Sequence, residues 1–433
     1  MKTNKVANNV KWVVICKAAQ AILQLLIGLL TARYVGPANY GLINYAKSVV
    51  AFAVPITKLG LDATLVRELV QEPDKEGEIL GTSLLMSFLS SVAGVICITG
   101  FVSVANWGEP ITLAVCFLYS LSLLFQVLEL LQYWFHYKLQ SKYPSIVMLI
   151  AYFAAAVYKI YLFASGKSVY WFAVAYSVEY GITGFLLLVI FRRQCGHKLT
   201  GTLSMARKLF SRSKYYILSS LMVTLFQNTD HIMLKIIAGD AENGIYTAAI
   251  TCAGVANFVY AAIIDSLRPV ILENKKTGAQ SYDDSISKLY SIIVYLSLLQ
   301  GVAFTVLAKP IVMILYGAEY TSAISVLQVL IWYLSFSQMG RIRNIWILAE
   351  EKQKILWKIN LAGALTNVAL NAVLIPYFGA AGAAIASLAT QIFVNFILGF
   401  IIKELRGNNA LLIKGLSPRF LTKILQEARE RKQ

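Results

Sequence analysis

Long apolar runs alternate with short polar segments along the whole chain. Each run holds about 20 mostly apolar residues, the length that an α-helix needs to cross a bilayer. Because an isolated apolar segment satisfies its own backbone hydrogen bonds in lipid only as a helix, the pattern predicts an all-α integral membrane protein. The twelve predicted transmembrane helices lie at 10–34, 41–59, 80–104, 111–134, 145–164, 170–191, 216–238, 244–267, 287–307, 322–347, 355–376 and 380–403.

Lysine and arginine are distributed unevenly over the segments between these spans. Counted from an inside N-terminus, the outside segments hold only Arg33, Lys167 and Lys309, and most of the 39 basic residues fall on inside segments. An excess of basic residues marks the cytoplasmic loops of membrane proteins. We therefore expect a multi-pass protein of the cell inner membrane with both termini in the cytoplasm.

Composition mainly excludes other classes of protein. The chain is 58% hydrophobic and 14% charged, whereas a soluble domain carries about 25% charged residues. Its net charge of +17 would suit nucleic acid, but that function needs basic residues clustered on a soluble face, so no nucleic-acid partner is expected. The five cysteines and three histidines follow neither a metal-ligand nor a disulfide spacing, so no metal site is expected.

The longest inside link divides the chain into two halves of six predicted helices each. We expect an N-terminal lobe at 1–191, a cytoplasmic inter-lobe linker at 192–215, a C-terminal lobe at 216–403 and a basic amphipathic cytoplasmic tail at 404–433. The tail is predicted to lie on the anionic inner leaflet, although a frayed soluble tail is an alternative.

A short pattern recurs in the two halves. Gly-x-Ala-x-x-Gly at 36–41 returns at 239–244. The two copies share one orientation, because an even number of spans separates them. A parallel repeat of six helices is typical of transporters with a binding site between their halves.

Polar side chains within several spans share one face of their helix at the helical period. A lysine at the middle of a bilayer costs about 2.5–3.5 kcal/mol, so we expect these side chains to face a wet cavity or a partner. Our interpretation is a central cationic lumen between the two lobes, and interhelical hydrogen bonding that holds the bundle together is the alternative. The predicted lumen residues are Lys17, Gln20, Gln24, Asn44, Lys47, Tyr152, Lys159, Tyr176, Glu179, Asn228, His231 and Lys235.

Three further charged residues are candidates for ion coupling or gating. Asp230 lies off the main polar stripe of its helix and beside His231, a residue type that titrates near neutrality. Asp265 and Arg268 lie near the inner end of the eighth span. Coupling to a proton or a sodium ion is one interpretation, and structural ion pairing is the other. No cofactor is expected.

Several short motifs resemble those of the bacterial polysaccharide-lipid flippases. Arg-Tyr-Val-Gly-Pro-Ala-Asn-Tyr-Gly at 33–41 follows the first predicted span, and Asp-His-Ile-Met-Leu at 230–234 precedes Gly-Ile-Tyr-Thr-Ala-Ala at 244–249. Tyr-Gly-Ala-Glu-Tyr at 316–320 and Leu-Ile-Pro-Tyr-Phe-Gly-Ala-Ala-Gly-Ala-Ala-Ile-Ala-Ser at 374–387 complete the set. The resemblance extends from about residue 5 to residue 403.

This resemblance implies a transport step in the synthesis of surface polysaccharide, such as O-antigen, capsule or exopolysaccharide. Flippases of this family move an undecaprenyl-diphosphate-linked oligosaccharide from the inner to the outer leaflet by alternating access of two six-helix lobes. The anionic headgroup would need cations along its path, a role that suits Lys17, Lys47, Lys159 and Lys235. The polymerase and the chain-length regulator of the same pathway are expected partners, and a monomer is the expected state.

Two other functions fit the sequence less well than a flippase does. An ion-coupled small-molecule or multidrug exporter would favour an acidic cavity, whereas the predicted spans hold more lysines than carboxylates. A polysaccharide polymerase would need a large catalytic outside loop, and the outside loops are very short. Gly-Lys-Ser at 166–168 lacks the first glycine of a P-loop, so the expectation is a transporter and not an enzyme.

Overall fold

The computed structural model describes residues 2–195, 197–255, 257–277, 279–418, 420, 422 and 426, and it describes side chains from residue 12 onward apart from 276–281. This part of the chain is built from α-helices joined by short turns and 3₁₀ segments, with no β-strand. The helices are α1 (Lys2–Thr57), α2 (Leu61–Gln71), α3 (Glu76–Ala105), α4 (Pro110–Ser120), α5 (Ser122–Gln126), α6 (Gln132–Tyr137), α7 (Lys142–Ala164), α8 (Val169–Gln194), α9 (Leu203–Ala238), α10 (Asp240–Gly254), α11 (Asn257–Thr277), α12 (Ala279–Leu315), α13 (Ala323–Ala349), α14 (Leu356–Ile392), α15 (Leu398–Ile401) and α16 (Arg406–Leu416).

Many of these helices are long and apolar enough to cross a membrane. Within the described residues there are 8 such helical stretches, or 9 if the bent pair formed by α10 and α11 counts as one span. Two of the stretches contain a sharp break, at Gly36 (φ 74°) in α1 and at Gly379 (φ 55°) in α14, where a positive φ favours glycine. The all-α membrane fold is therefore confirmed.

The number of twelve spans stays a prediction. The first two predicted spans lie on either side of the break at Gly36, and the last two lie on either side of Gly379. The predicted seventh span lies in α9, which is not among the apolar stretches. The reason is its composition, since α9 begins with several basic residues and carries Asn-Thr-Asp-His at 228–231.

The chain divides into two compact units, Met1–Ile236 and Ile237–Gln433. The boundary falls near the end of α9, whereas the sequence places a linker at 192–215. The predicted lobes, linker and tail stay predictions, and the two units are described one at a time.

The first unit has two apolar clusters at its core. One surrounds Tyr45 and Ala46 of α1 and includes Phe172 of α8. The other surrounds Leu65 of α2 and Trp134 of α6. Large apolar side chains on other faces of α3 and α7 are exposed, as expected of helices that contact lipid.

The segment between α8 and α9 is held tightly against the start of α3. The Thr200 backbone N–H donates to the Gly77 carbonyl over 3.3 Å, and the Thr202 N–H donates to Thr82 Oγ1 over 3.2 Å. A Cβ added at Gly81 would lie 2.4 Å from the Thr200 carbonyl oxygen. Backbone therefore touches backbone at this point, and this part of the predicted linker packs as an ordered component of the first unit.

Ion pairs reinforce this attachment between α2 and the beginning of α9. Arg212 Nη1 contacts Glu68 Oε1 and Oε2 at 2.8 and 2.7 Å, and Lys208 pairs with Glu72. Glu68 is only 1% exposed. A buried carboxylate is strongly destabilising when its partner is removed, so Arg212 stabilises the position of α9.

At the other end of α9, Lys235 joins the turn between α3 and α4. Lys235 Nζ lies 2.7 Å from Glu109 Oε2, and the Thr112 hydroxyl donates to the same oxygen over 2.6 Å. In the same turn, Asn106 accepts a hydrogen bond from the buried Tyr45 hydroxyl. Burial by itself raises the pKa of Glu109, but the hydrogen bonds from Lys235 and Thr112 outweigh it and hold that pKa below its ordinary value.

The second unit is organised around α12, α13, α14 and α16. Arg343 of α13 is 5% exposed and donates to the Val394 carbonyl over 2.7 Å, within the π-helical turn Phe393–Ile397. The Tyr290 hydroxyl donates to Asn408, which ties α12 to α16. Beyond residue 418, most of the predicted amphipathic tail lies outside the described residues.

Two glycines of α3 allow the contact with 197–202 to be tested. We expect Gly81→Ala to lower the apparent melting temperature in detergent, because its Cβ would lie 2.4 Å from the Thr200 oxygen and 2.6 Å from the Thr200 nitrogen. Overpacking of this kind costs about 1–3 kcal/mol. The matched control is Gly100→Ala, where a Cβ meets nothing within 4 Å. Equal melting temperatures for the two variants would show that the close approach is absent.

The ion pair at Glu109 should make stability depend on pH. Its pKa is lowered in the folded protein, so its contribution is present above the ordinary carboxyl pKa and is lost as the pH falls through the lowered value. We expect Glu109→Gln to be less stable than the wild type at pH 7 and to lose less stability between pH 7 and pH 3. Thermal unfolding across this range measures the effect.

The control for this experiment is Glu319→Gln. Glu319 is exposed and forms no ion pair within the described residues, so this variant should follow the wild-type pH profile. If Glu109→Gln has the same pH profile as the wild type, the lowered pKa of Glu109 does not contribute to stability.

Candidate functional site

A cluster of lysine, tyrosine and glutamate side chains lies inside the first unit. Lys47 belongs to the part of α1 that follows the break at Gly36, Tyr152 and Lys159 belong to α7, and Tyr176 and Glu179 belong to α8. The helices α7 and α8 are joined by a turn and pack side by side. Helical spacing places Tyr152 and Lys159 on one face of α7, and Tyr176 and Glu179 on one face of α8. The packing of α7 against α8 brings Lys159 to the Tyr176 ring.

Lys159 makes a cation–π contact with an aromatic ring of the cluster. Lys159 Nζ lies 4.7 Å from the centre of the Tyr176 ring, and the centres of the Tyr176 and Tyr119 rings are 4.3 Å apart. A cation over an aromatic face is attracted by the ring quadrupole. Tyr152 is buried on α7, seven residues before Lys159 and so on the same face of that helix.

The cluster has more positive than negative charge. Lys47, Lys159 and Glu179 lie on α1, α7 and α8, three helices that pack on one another, and Glu179 follows Tyr176 by one turn of α8. Neither lysine forms a direct ion pair with Glu179 within the described structure.

The two lysines differ in their access to solvent. Lys159 is 8% exposed, and its Nζ lies over the Tyr176 ring. Lys47 is exposed, although its neighbours Ala46 and Ser48 are buried. Lys47 is therefore the more accessible of the two cations.

A second polar layer lies beside this cluster. Lys58 Nζ pairs with Glu129 Oε2 at 3.0 Å, and Tyr180 is close to Glu129, Glu179 and Gln126. A small cleft with an empty volume of about 170 Å³ adjoins Lys58. It is lined by Thr57, Lys58, Ser87, Ser91, Leu123, Gln126, Val127 and Leu130.

Three residues that contact predicted site residues or their neighbours were not themselves predicted. Glu129 and Tyr119 lie in the predicted span at 111–134, and Glu109 lies just before it. A lone carboxylate in an apolar run was the available signal for Glu129. Tyr119 carried no such signal, because an aromatic residue in a membrane span is ordinary.

No described contact joins the side chains of Lys17, Gln20 or Gln24 to this cluster. Lys17 and Gln24 are exposed, and Gln20 is half-buried. The charge of Lys17 acts on His136 of α6, and its described contacts do not include Lys47 or Lys159. Asn44 is close to Lys47 along α1 and donates to the Tyr40 carbonyl of its own helix over 2.8 Å.

The remaining predicted residues are distributed over α9 and α11. Asp230 is buried, His231 is half-buried and Lys235 pairs with Glu109. Asn228 donates to the Thr224 carbonyl over 3.1 Å. In the second unit, Asp265 and Arg268 are exposed on α11 and form no direct ion pair with each other in the described part of the chain. Their predicted roles are not tested by this arrangement.

The chemistry of the cluster suits an anionic, hydroxyl-rich ligand. Lysine ammonium groups bind phosphate as point charges, and tyrosines offer both a flat apolar face and a hydroxyl group. Among the described residues no group of three or more His, Cys, Asp or Glu side chains could hold a metal ion. The cluster is therefore a candidate binding site.

Solved structures of the same fold are known. The lipid II flippase MurJ in an inward closed conformation superposes with a TM-score of 0.72 at 15% identity, over 96% of this chain and 92% of the flippase. An inward-facing multidrug resistance MATE family transporter of the MOP superfamily superposes with a TM-score of 0.68 at 14% identity, over 92% and 96% of the two chains. At these identities the likeness concerns the fold.

Two curated proteins are similar in sequence. A putative O-antigen transporter of Escherichia coli strain K12 is 22% identical over 95% of this chain and 100% of its own length. The probable low-salt glycan biosynthesis flippase Agl15 of Haloferax volcanii is 25% identical over 45% of this chain and 41% of its own length. The resemblance to polysaccharide-lipid flippases is confirmed by these relatives.

A sequence profile shows the family directly. The profile described as "Polysaccharide biosynthesis protein" matches residues 6–275 of this chain. The matched region covers the cluster around Lys47 and Lys159 as well as most of the first unit's helices. Because it spans more than half of the 433 residues, this multi-pass membrane protein belongs to the polysaccharide biosynthesis protein family.

Proposed function

We propose that this protein flips an undecaprenyl-diphosphate-linked oligosaccharide from the cytoplasmic to the outer leaflet of the membrane. The observation that carries the proposal is the buried Lys159, whose Nζ lies 4.7 Å from the centre of the Tyr176 ring in a membrane-embedded unit. Neither Lys159 nor Lys47 forms an ion pair within the described residues. The relatives named as an O-antigen transporter and a glycan biosynthesis flippase support it.

The diphosphate of the headgroup is the part of the substrate that the two lysines bind. Transfer of an uncompensated charge into a low-dielectric environment is very costly, so a polar path needs fixed counter-charges. Lys47, which is exposed, receives the headgroup, and Lys159 stabilises it further inside the unit. Tyr152 and Tyr176 offer faces and hydroxyl groups for the sugars.

The polyprenyl tail has different requirements. It is apolar and gains nothing by leaving the hydrocarbon, so it stays in lipid while the headgroup passes through the protein. The apolar side chains exposed on α3, such as Phe88, Leu89 and Ile96, support a direct contact of this unit with hydrocarbon. The protein then has to move only the headgroup across the membrane.

Alternating access of two lobes, at 1–191 and 216–403, completes the proposed mechanism. The two ends of α9 are held by ion pairs that join different helices of the first unit. Proton or sodium coupling through Asp230, or gating through Asp265 and Arg268, belongs to the same proposal. The chain acts as a transporter, and no chemical conversion of the substrate is required.

The proposed location is the cell inner membrane with both termini in the cytoplasm. The distribution of lysine and arginine supports this orientation. The flipped repeat unit would pass to a polymerase and a chain-length regulator for O-antigen, capsule or another surface polysaccharide. A monomer suffices for this task, because the candidate site is formed within one unit of one chain.

A small-molecule exporter is disfavoured by the charge of the site. The MATE transporter shares the fold, but a fold by itself does not define a substrate. A cationic drug would meet two ammonium groups and one carboxylate at the cluster, which is a net repulsion. The same cluster attracts a diphosphate.

The lysine pair provides the direct test. In a strain that lacks the gene, we expect the variant with both Lys47→Gln and Lys159→Gln to restore much less surface polysaccharide than the wild type. A hydrogen bond to a charged group contributes about 1.5–3 kcal/mol, so the affinity for the headgroup, and with it flipping below saturation, should fall by roughly tenfold or more. Repeat units that accumulate on the cytoplasmic leaflet are the second measurement.

The matched control is Lys167→Gln, which removes a lysine charge from an exposed turn between α7 and α8. This variant should restore polysaccharide fully. Expression and melting temperature are compared for all variants, because Lys159 is buried. Full restoration by the double lysine variant would refute the headgroup site, and repeat units that reach the outer leaflet unpolymerised in the deletion strain would refute the flippase.

A further inference from the structure

The first turns of α9 expose a face on which apolar and basic side chains alternate. Four exposed residues recur at intervals of four, three and four positions, and they therefore lie within about 60° of one another around the helix. These residues, which form the mixed face, are Leu203, Arg207, Phe210 and Lys214. The side chain of Leu203 is 79% exposed and that of Phe210 is 44% exposed, so the mixed face has apolar surface without a protein partner.

The opposite side of the same turns is attached to the first unit. Met205 and Leu209 are buried in the apolar cluster that surrounds Leu65. Lys208 and Arg212 form ion pairs with carboxylates at the end of α2 and just after it. The beginning of α9 is therefore fixed on one side, and the orientation of the mixed face is fixed with it.

The basic residues of the mixed face have no carboxylate partner. Neither Arg207 nor Lys214 forms an ion pair within the described residues, and Lys214 Nζ lies 5.2 Å from the centre of the neighbouring Tyr215 ring. Arg192 and Arg193 at the end of α8 are also exposed, and the described structure gives them no ion pair. The paired cations of α9 thus face α2, and the unpaired cations face outward.

The length of α9 indicates the depth of the mixed face in the membrane. A helix of 36 residues is about 54 Å long, whereas the hydrocarbon core of a bilayer is about 30 Å thick. The predicted span at 216–238 fills the hydrocarbon, so in the proposed orientation residues 203–215 lie among the cytoplasmic headgroups. Tyr215 and Tyr216 are exposed at this boundary, where tyrosine is enriched in membrane proteins.

We propose that the mixed face binds an anionic phospholipid of the cytoplasmic leaflet, such as phosphatidylglycerol, with the lipid phosphate at Arg207 and Lys214. Leu203 and Phe210 contact the glycerol backbone and the first carbons of the acyl chains. The same face continues one turn further along α9 to Leu218, which is 61% exposed. The surface therefore changes from basic to apolar in the direction of the hydrocarbon, which is the order of groups in a phospholipid and not in an acidic protein.

A lipid at this position stabilises the folded protein. A ligand that binds only the folded state raises its stability by mass action. The mixed face exists only where α9 is helical and attached to α2, so the lipid strengthens this attachment. The inference uses the proposed orientation of the chain and is independent of the substrate that the protein moves.

Thermal unfolding in a neutral detergent measures the binding. Phosphatidylglycerol or phosphatidylcholine with the same acyl chains is added at increasing mole fraction, and the apparent melting temperature is recorded. We expect phosphatidylglycerol to stabilise the wild type at a lower mole fraction than phosphatidylcholine does. This difference should shrink in 1 M salt, because the Debye length falls from about 10 Å at 0.1 M to about 3 Å at 1 M.

The decisive variant carries both Arg207→Gln and Lys214→Gln. The mole fraction of phosphatidylglycerol that gives half of the stabilisation should rise roughly tenfold or more, because each basic residue near an anionic surface contributes about 1 kcal/mol. Its melting temperature without added lipid should stay close to that of the wild type, since both side chains are exposed and form no ion pair within the described residues.

Two further variants serve as controls. Lys167→Gln combined with Lys309→Gln removes the same net charge from two exposed positions of the predicted outside segments, and this variant should respond to phosphatidylglycerol like the wild type. Arg207→Lys combined with Lys214→Arg keeps both charges on the mixed face and should also keep the response.

The outcomes are distinct from those of the flippase test, because no transport is measured. An unchanged response to phosphatidylglycerol in the Arg207→Gln and Lys214→Gln variant would overturn the lipid site. An equal loss in the outside control would overturn it as well, since net charge alone would then explain the effect. Equal stabilisation by soluble glycerol 1-phosphate would replace the lipid with a free phosphate ligand, and a loss confined to the mixed face establishes the lipid site.

Discussion

The cost of placing charge in a low-dielectric environment governs this structure. A charged group away from water is stable only beside an opposite charge or a hydrogen-bond partner. At the two ends of α9 the first unit meets this requirement with direct ion pairs, Arg212 with Glu68 and Lys235 with Glu109. Lys47 and Lys159, by contrast, form no ion pair within the described residues. Direct pairs hold the fold, whereas incompletely compensated charge is available for a ligand.

The same contrast explains how one fold can serve different substrates. The helical framework resembles both a lipid II flippase and a multidrug transporter, so the framework does not define what is carried. The charges inside it do. In the proposed function, a cluster with two lysines, one carboxylate and several tyrosines binds an anionic headgroup with sugars, and the polysaccharide biosynthesis protein family is consistent with that chemistry.

Part of the candidate site followed from helical periodicity. Tyr152 and Lys159, like Tyr176 and Glu179, were predicted to share one face of their helix, and the structure brings these faces together. The place of Lys17 in the lumen stays a prediction, because no described contact joins it to Lys47 or Lys159. Periodicity defines which residues share a face, but it contains no information on which helix that face will meet. Glu109 and Tyr119 were missed for this reason, since their importance comes entirely from partners on other helices.

The sequence by itself determined that this is an all-helical membrane protein and which family it resembles, because apolar length, basic loops and glycine turns are local properties of the chain. It also indicated a cationic character within the spans. Only the tertiary structure decided the pairings, such as Lys235 with Glu109 and the close contact of Thr200 with Gly77 and Gly81. These contacts join segments that are far apart along the chain, and the free energy that selects them arises from packing and desolvation in the folded molecule.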